Sequence, residues 1–384
     1  MKTLYLHIGT TKTATSSIQK FLRINREVLE KHSYCYPPLP HIYSHISKDR
    51  NGHFLVGNLY LPDGSRDLLR ERVYKKEGMK QVLACFQQYD NVILSDEVIW
   101  RVTSRSRKGL FPYLIGRAKE HGFQIKVIVY LRRQDEFQLS IWNQNVKHSS
   151  TAMTLTFEER LDQVLKEEDY VLNYASKLDE IAGLVGKENV IVRRFQRDSW
   201  VNGSIVDDFM QCIGLPVTKE FIPLKRKVNS GLSENAAEIK RIINKNTTFT
   251  QDENVYLSNF LRRQSPESSQ RYPCSMLSRE ESRDFLNQFA VENARVAEEY
   301  IHDGKPLFSE KIKDLPKWQP DNPYMTEDLI QFFSSVCIDL HRQTEQLQAL
   351  VEQQQQELYA HKHPFRTLWN RIWDRMKKLR NKRK

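Results

Sequence analysis

No apolar run in these 384 residues approaches the roughly 20 that a membrane-spanning helix needs. The opening MKTLYLHIGTTKT lacks an h-region and a small-residue cleavage site, so a spanning or secreted protein is not expected. Cysteine is scarce: Cys35, Cys85, Cys212, Cys274 and Cys337 are an odd number, scattered, with no CxxC pair. They predict reduced thiols and exclude a disulfide framework or a zinc site. The body also lacks surplus charge. Of the formal +11, residues 362–384 hold ten basic side chains and one acid, which leaves residues 1–361 nearly neutral. A nucleic-acid binder would carry a basic face on its folded domain, so no nucleic-acid partner is expected. What is present is 39% hydrophobic residues with 18 Phe, 16 Tyr and 6 Trp, too apolar for a disordered chain.

The period of the apolar residues switches along the chain. Leu4, Leu6 and Ile8 alternate with Tyr5 and His7, which predicts a strand, and Ile18, Phe21, Leu22, Val28 and Leu29 then share a helical face. Further short β-branched or apolar runs stand at 91–95, 125–131 and 190–192, separated by helical stretches that end in Gly122, Gly186 and Gly214. This alternation predicts an α/β layer fold with a mainly parallel central sheet, followed by a helical C-terminal extension. The expected division is an α/β domain over 1–325 and a Gln-rich helix with a basic tail over 326–384. Residues 37–64 and 263–282 read as loops or excursions from their Pro, His, Gly and Ser content.

Three predicted strand ends carry polar groups suited to chemistry. The turn Gly9 to Ser17 is rich in Thr and Ser and holds Lys12, so amides and hydroxyls at a helix N-terminus gather beside one mobile cation. It does not match GxxxxGK[ST], and its bland reading is a helix-capping loop. Ser95-Asp96-Glu97 offers a carboxylate as general base, or else a helix cap. Arg132 ends the 125–131 run and Ser140 follows eight residues on, a pair able to clamp one phosphate or merely a surface Arg and a helical Ser.

Together, in this order, the three segments resemble the sulfotransferases that use 3′-phosphoadenosine 5′-phosphosulfate (PAPS), most closely the bacterial ones. The similarity covers about residues 2–310. It implies a P-loop-like three-layer fold and a sulfuryl donor held by Lys12, Thr13, Ala14, Thr15 and Ser16 at its 5′ end. Arg132 and Ser140 would hold the 3′-phosphate, and Phe195, after Val190–Arg194, would lie near the adenine. Lys12 and Glu97 would be catalytic, with His41, His45 or His53 as substitutes for Glu97. The chain departs from the pattern at Ala14, where the family has Gly and where negative φ is therefore expected. The family's late Arg-Lys-Gly loop is recognisable only faintly, as Arg226 to Gly231. No metal is expected, since Lys12 and the loop would neutralise the leaving group.

The acceptor implied is a hydroxyl on a carbohydrate, glycolipid or polysaccharide. A nucleotide-dependent kinase and a non-catalytic membrane-associated adaptor are the alternatives. Phe365, Leu368, Trp369, Ile372, Met376 and Leu379 recur at helical spacing among Arg and Lys, which suits an anionic membrane surface across 365–384. Val336, Leu340, Leu347, Val351 and Leu358 suggest self-association through 336–358. The expected location is the cytoplasm, with peripheral contact at the inner face of a membrane.

Overall fold

The computed structural model describes residues 1–39, 42, 43, 46–102, 109–148, 152–167, 170–224 and 231–365, with 369, 372, 373 and 376 of the tail. Five strands form one sheet: β1 (Lys2–His7), β2 (Tyr34–Cys35), β3 (Asn91–Ser95), β4 (Phe123–Leu131) and β5 (Val190–Arg194). All pairings are parallel and the order is β2-β3-β1-β4-β5, so β1 lies centrally with Leu6 opposite both Leu94 and Val127. The helices in chain order are α1 (Thr15–Ile24), α2 (Arg26–Lys31), α3 (Leu68–Gln88), α4 (Ile99–Val102), α5 (Leu110–His121), α6 (Gln134–Lys147) and α7 (Phe157–Lys166). They continue as α8 (Tyr174–Val185), α9 (Ile205–Cys212), α10 (Glu234–Ile243), α11 (Gln251–Arg271), α12 (Arg279–Asn287), α13 (Ala290–Val296) and α14 (Met325–Lys362).

Parallel sheets are buried on both faces, and the strand residues divide accordingly. Leu4, Leu6, Val92, Leu94, Val127 and Val129 pack against α3, α4, α5 and α8. Tyr5, Ile93, Ile128 and Tyr130 face Ile18, Phe21 and Leu22 of α1 and Phe209 and Met210 of α9. The result is a three-layer α/β fold with a parallel central sheet, and the alternating pattern predicts the α/β layers and the parallel sheet. The ends of β1, β3 and β4 open on one side, where ligands of such sheets bind.

A separate helical core adjoins the layers. Phe137, Trp142 and Val146 of α6 pack with Leu161 of α7, Ile239 of α10, Phe260 and Leu261 of α11, Phe285 of α12 and Phe332 of α14. Here the loop expected over 263–282 is corrected: its first part, to Arg271, is the end of α11, which runs on through Pro266. The serines that suggest a loop are buried and satisfied inside the helix cluster. Ser265 Oγ donates to the Leu261 carbonyl at 2.7 Å and Ser268 Oγ to Asp328 Oδ2 at 2.6 Å. A Thr250–Glu253 capping box starts the helix.

The stretch after β2 leaves the sheet and returns to it as an irregular excursion with one short 3₁₀ turn, His53–Leu55. Asn51 docks it on β3, donating to the Ile93 carbonyl at 3.0 Å and accepting from the Ser95 amide at 2.9 Å. Cys35 of β2 and Cys85 of α3 bring their sulfurs to 2.9 Å at the base of this excursion, although the spacing predicts unrelated thiols. The hydrogen bond between them, with burial, pushes the Cys35 thiol up, and the same bond lowers Cys85.

Only Asp328 and Phe332 of α14 are buried among its described residues. Ile338, Leu340, Leu347, Val351 and Leu358 are exposed, as are Phe365, Trp369, Ile372 and Met376 of the tail. No helix among the described residues is long and apolar enough to cross a membrane.

Candidate functional site

The loop after β1 is a concave run of amides. Among the described residues no backbone partner is found for the N–H groups of Thr13, Ala14, Thr15 and Ser16, while the Thr13 hydroxyl ties the loop by donating to the Thr10 carbonyl at 2.6 Å. Lys12 and Ala14 both take the left-handed conformation, with φ of 64° and 56°. The negative φ expected at Ala14 is therefore corrected: the residue takes the conformation glycine adopts freely, and the alanine holds it at a steric cost. Alternating backbone hands of this kind aim successive amides at one point, which suits an anion at the N-terminus of α1.

Gly9 enters this loop at φ 105°, and a Cβ there would stand 3.0 Å from Glu97 Cβ and 3.1 Å from its Cα. That close approach sets Glu97 against the loop. Its carboxylate accepts from Gln19 Nε2 at 3.2 Å and lies 3.3 Å from Arg50 Nη1. The neighbouring Asp96 is fully buried and more heavily engaged. It accepts from Arg50 at 3.0 and 2.8 Å, lies 2.8 Å from His53 Nδ1, and caps the turn into α4 through the Val98 amide at 2.8 Å. Burial pushes the Asp96 carboxyl up, and the bonds to His53 and Arg50 outweigh it, leaving the group below its usual range. The two acids divide the roles: Asp96 caps and anchors, and Glu97 faces the loop. His53 is held on Asp96 and stacks edge-on against Tyr43 at 4.5 Å. His41 and His45 lie outside the described residues, as does most of the Arg226–Gly231 segment. Beneath the loop, burial drives His7 down to about 3, so it is neutral, with Nδ1 2.8 Å from Ser95 Oγ.

Arg132 leaves the end of β4 toward the same loop, and Nη1 donates to the Lys12 carbonyl at 3.2 Å. Its guanidinium lies 5.5 Å from the centre of the Phe195 ring, so the aromatic residue after β5 joins the site. Lys12, Arg132 and Ser140 line one cavity of about 1340 Å³. Glu97 and Phe195 are not part of its lining; Gly9 sets Glu97 against the loop that carries Lys12, and Phe195 lies beside Arg132.

The same cavity holds residues that the sequence pattern did not single out: Lys147 at the end of α6, Arg262 and Arg263 of α11, and Lys311 and Lys313. Arg133 is accounted for by Asp135, at 2.8 and 3.0 Å. Lys12 is not paired in this way: among the described residues no carboxylate lies within 4.0 Å of its ammonium. Burial, then the charges of Lys147 and Arg132, pull it down to about 8, with Glu97 acting the other way. Arg132 is also lowered by burial, though a guanidinium keeps its charge at any ordinary pH. Such a gathering is unfavourable until an anion enters, which is how a phosphate-binding pocket prepares itself.

No protein-family profile matches the chain. It is 26% identical over 178 residues to an uncharacterized protein of Archaeoglobus fulgidus, a stretch covering 46% of each chain, so it spans about half the length of that curated relative. Among solved structures it is similar to a sulfotransferase from Alicyclobacillus acidocaldarius, at 15% identity and a TM-score of 0.36, over 62% of this chain and 92% of that one. A likeness of that size assigns no activity, and the functional reading rests on the cavity itself.

Proposed function

We propose that this protein is a sulfotransferase that moves a sulfuryl group from PAPS to an acceptor hydroxyl. The observation that carries the reading is that Lys12, Arg132 and Ser140 line one cavity, with Lys12 set in the loop whose Thr13–Ser16 amides find no backbone partner among the described residues. In this reading the loop and Lys12 hold the 5′-phosphate, Arg132 and Ser140 the 3′-phosphate, and Phe195 gives the adenine an aromatic neighbour. An ammonium with no carboxylate partner and amides with no backbone partner, among the described residues, fit such a donor.

The donor supplies the transferred group: the acceptor oxygen gains a bond to sulfur, the bond from sulfur to the 5′-phosphate oxygen breaks, and adenosine 3′,5′-bisphosphate leaves. Lys12 stands where negative charge gathers on the leaving phosphate, and the loop amides share that charge. Glu97 accepts the hydroxyl proton, within reach of Lys12 across Gly9. Gln19 and Arg50 fix the rotamer of its carboxylate. A carbohydrate or glycolipid acceptor, and a membrane contact through 365–384, belong to the same reading. Truncation after His363 should weaken binding to anionic vesicles, and unchanged vesicle binding would remove the membrane contact.

The test of the donor site is calorimetric titration with adenosine 3′,5′-bisphosphate against ATP–Mg²⁺. Binding of the bisphosphate that disappears when its 3′-phosphate is removed supports the reading. Preference for ATP–Mg²⁺ would make the protein a kinase, and binding of neither would leave an adaptor.

A further inference from the structure

Several cations line the cavity, and the donor accounts for only some of them. Arg132 touches the Lys12 carbonyl at 3.2 Å. Lys147 is the strongest charged neighbour acting on Lys12, and Arg262 in turn acts on Lys147, which burial already pulls down. All four side chains line the one cavity, with Lys147 acting on Lys12 and Arg262 on Lys147. Lys147 lies seven residues after Ser140 on α6, two turns or about 10 Å along the axis. With the 3′-phosphate at Arg132 and Ser140 and the transferred group at Lys12, Lys147 and Arg262 are cations of the same cavity that the donor does not use.

The packing keeps this pair together. Ser258 of α11 donates to the Lys147 carbonyl at 3.2 Å, which pins the end of α6 beside the helix that carries Arg262. Among the described residues neither side chain makes an ion pair, and Arg262 gives a hydrogen bond to Asn259 Oδ1, one turn earlier, at 3.1 Å. A helix C-terminus attracts a lysine, which explains Lys147 alone but not a second cation packed toward it. At about 1340 Å³ the cavity also exceeds the 300–1,000 Å³ usual for one small ligand, leaving room for a second molecule.

We propose that Lys147 and Arg262 bind an anionic group carried by the acceptor itself, so that the substrate is an acidic glycan rather than a neutral one. This rests on the sulfotransferase reading. A carboxylate, sulfate or phosphate near the reacting hydroxyl would neutralise the pair and hold that hydroxyl between Lys12 and Glu97.

The experiment uses the full chain saturated with adenosine 3′,5′-bisphosphate, titrated calorimetrically with trigalacturonate and with neutral maltotriose. Trigalacturonate should bind at least about tenfold more tightly than maltotriose. The Lys147→Gln, Arg262→Gln double variant should lose that preference while binding the bisphosphate within about threefold of the wild type, which also reports that it folds. Equal binding of the two sugars, or binding of neither, would overturn the proposal. So would a double variant that loses the bisphosphate, because the pair would then belong to the donor. Failure of the wild type to bind the bisphosphate at all strikes the sulfotransferase reading instead.

Discussion

Arg132 Nη1 donates to the carbonyl oxygen of Lys12 at 3.2 Å, joining two segments 120 residues apart in the chain. The bond couples the loop that would hold the 5′ end of the donor to the residue that would hold its 3′ end. Lys12→Ala and Arg132→Ala should each weaken bisphosphate binding by about tenfold or more. Their effects should not add, because Arg132→Ala also removes the donor that holds the Lys12 carbonyl and so loosens the loop that carries Lys12. Calorimetry on the two variants and the double variant measures this, and strict additivity would show that the bond transmits nothing.

The left-handed conformation of Ala14 makes a stability prediction. Ala14→Gly removes a steric cost of about 1–2 kcal/mol, offset by about 0.4–1 kcal/mol of extra freedom in the unfolded chain. A net gain of roughly 0.5–1 kcal/mol in urea unfolding is expected. A loss of stability would mean that the backbone there is not held in that region.

Lys12 also sets a pH dependence. Its ammonium is pulled down to about 8, and an anion binds its charged form. Bisphosphate affinity should therefore hold below pH 8 and fall as the pH rises through that value. Lys12→Arg, which stays charged, should flatten the decline. A profile that falls only above pH 10 would show Lys12 to be unperturbed.

Asp96 and Glu97 should separate in their effects. Asp96→Asn removes the fully buried partner of Arg50 and His53 and leaves Arg50 the longer contact to Glu97 at 3.3 Å, which should cost on the order of 3 kcal/mol in stability. Glu97→Gln leaves Arg50 its bidentate contact with Asp96, so it should cost less stability than Asp96→Asn and keep bisphosphate binding, yet stop transfer. Thermal melts of the two variants, with titration of the second, decide this. A Glu97→Gln protein that still transfers would move the base elsewhere.

Cys35 and Cys85 should crosslink on treatment with oxidised glutathione, each losing a proton while the two electrons reduce the reagent to glutathione. Closing the chain between them should raise stability by about 2–4 kcal/mol. Peptide mapping detects the bridge. Mixed disulfides with glutathione alone would show that the two thiols do not meet.

Much of the α/β frame is legible in the sequence because local signals encode it. The runs ending at Ile8, Ser95 and Leu131 are short and apolar, and each leads into the polar residues that the sheet then sets side by side. Lys147, Arg262 and Arg50 give no such signal. The first two reach the cavity only because Trp142, Val146, Phe260 and Leu261 pack α6 on α11. Arg50 arrives on an excursion whose docking depends on Asn51 and β3. The end of α11 reads as a loop because Ser265 and Ser268 look solvated in sequence, whereas folding buries them against partners. The hand of the backbone at Ala14 is likewise set by the loop around it rather than by the residue's own preference.

The length of α14 has a consequence for reach. From Asp339, which Tyr256 of α11 holds at 3.0 Å, to Lys362 the helix extends about 35 Å at 1.5 Å per residue. It is thus a boom, and the basic segment follows it in sequence. Any surface that the tip grips can lie that far from the body, so the acceptors within range would be chains standing out from that surface rather than groups embedded in it.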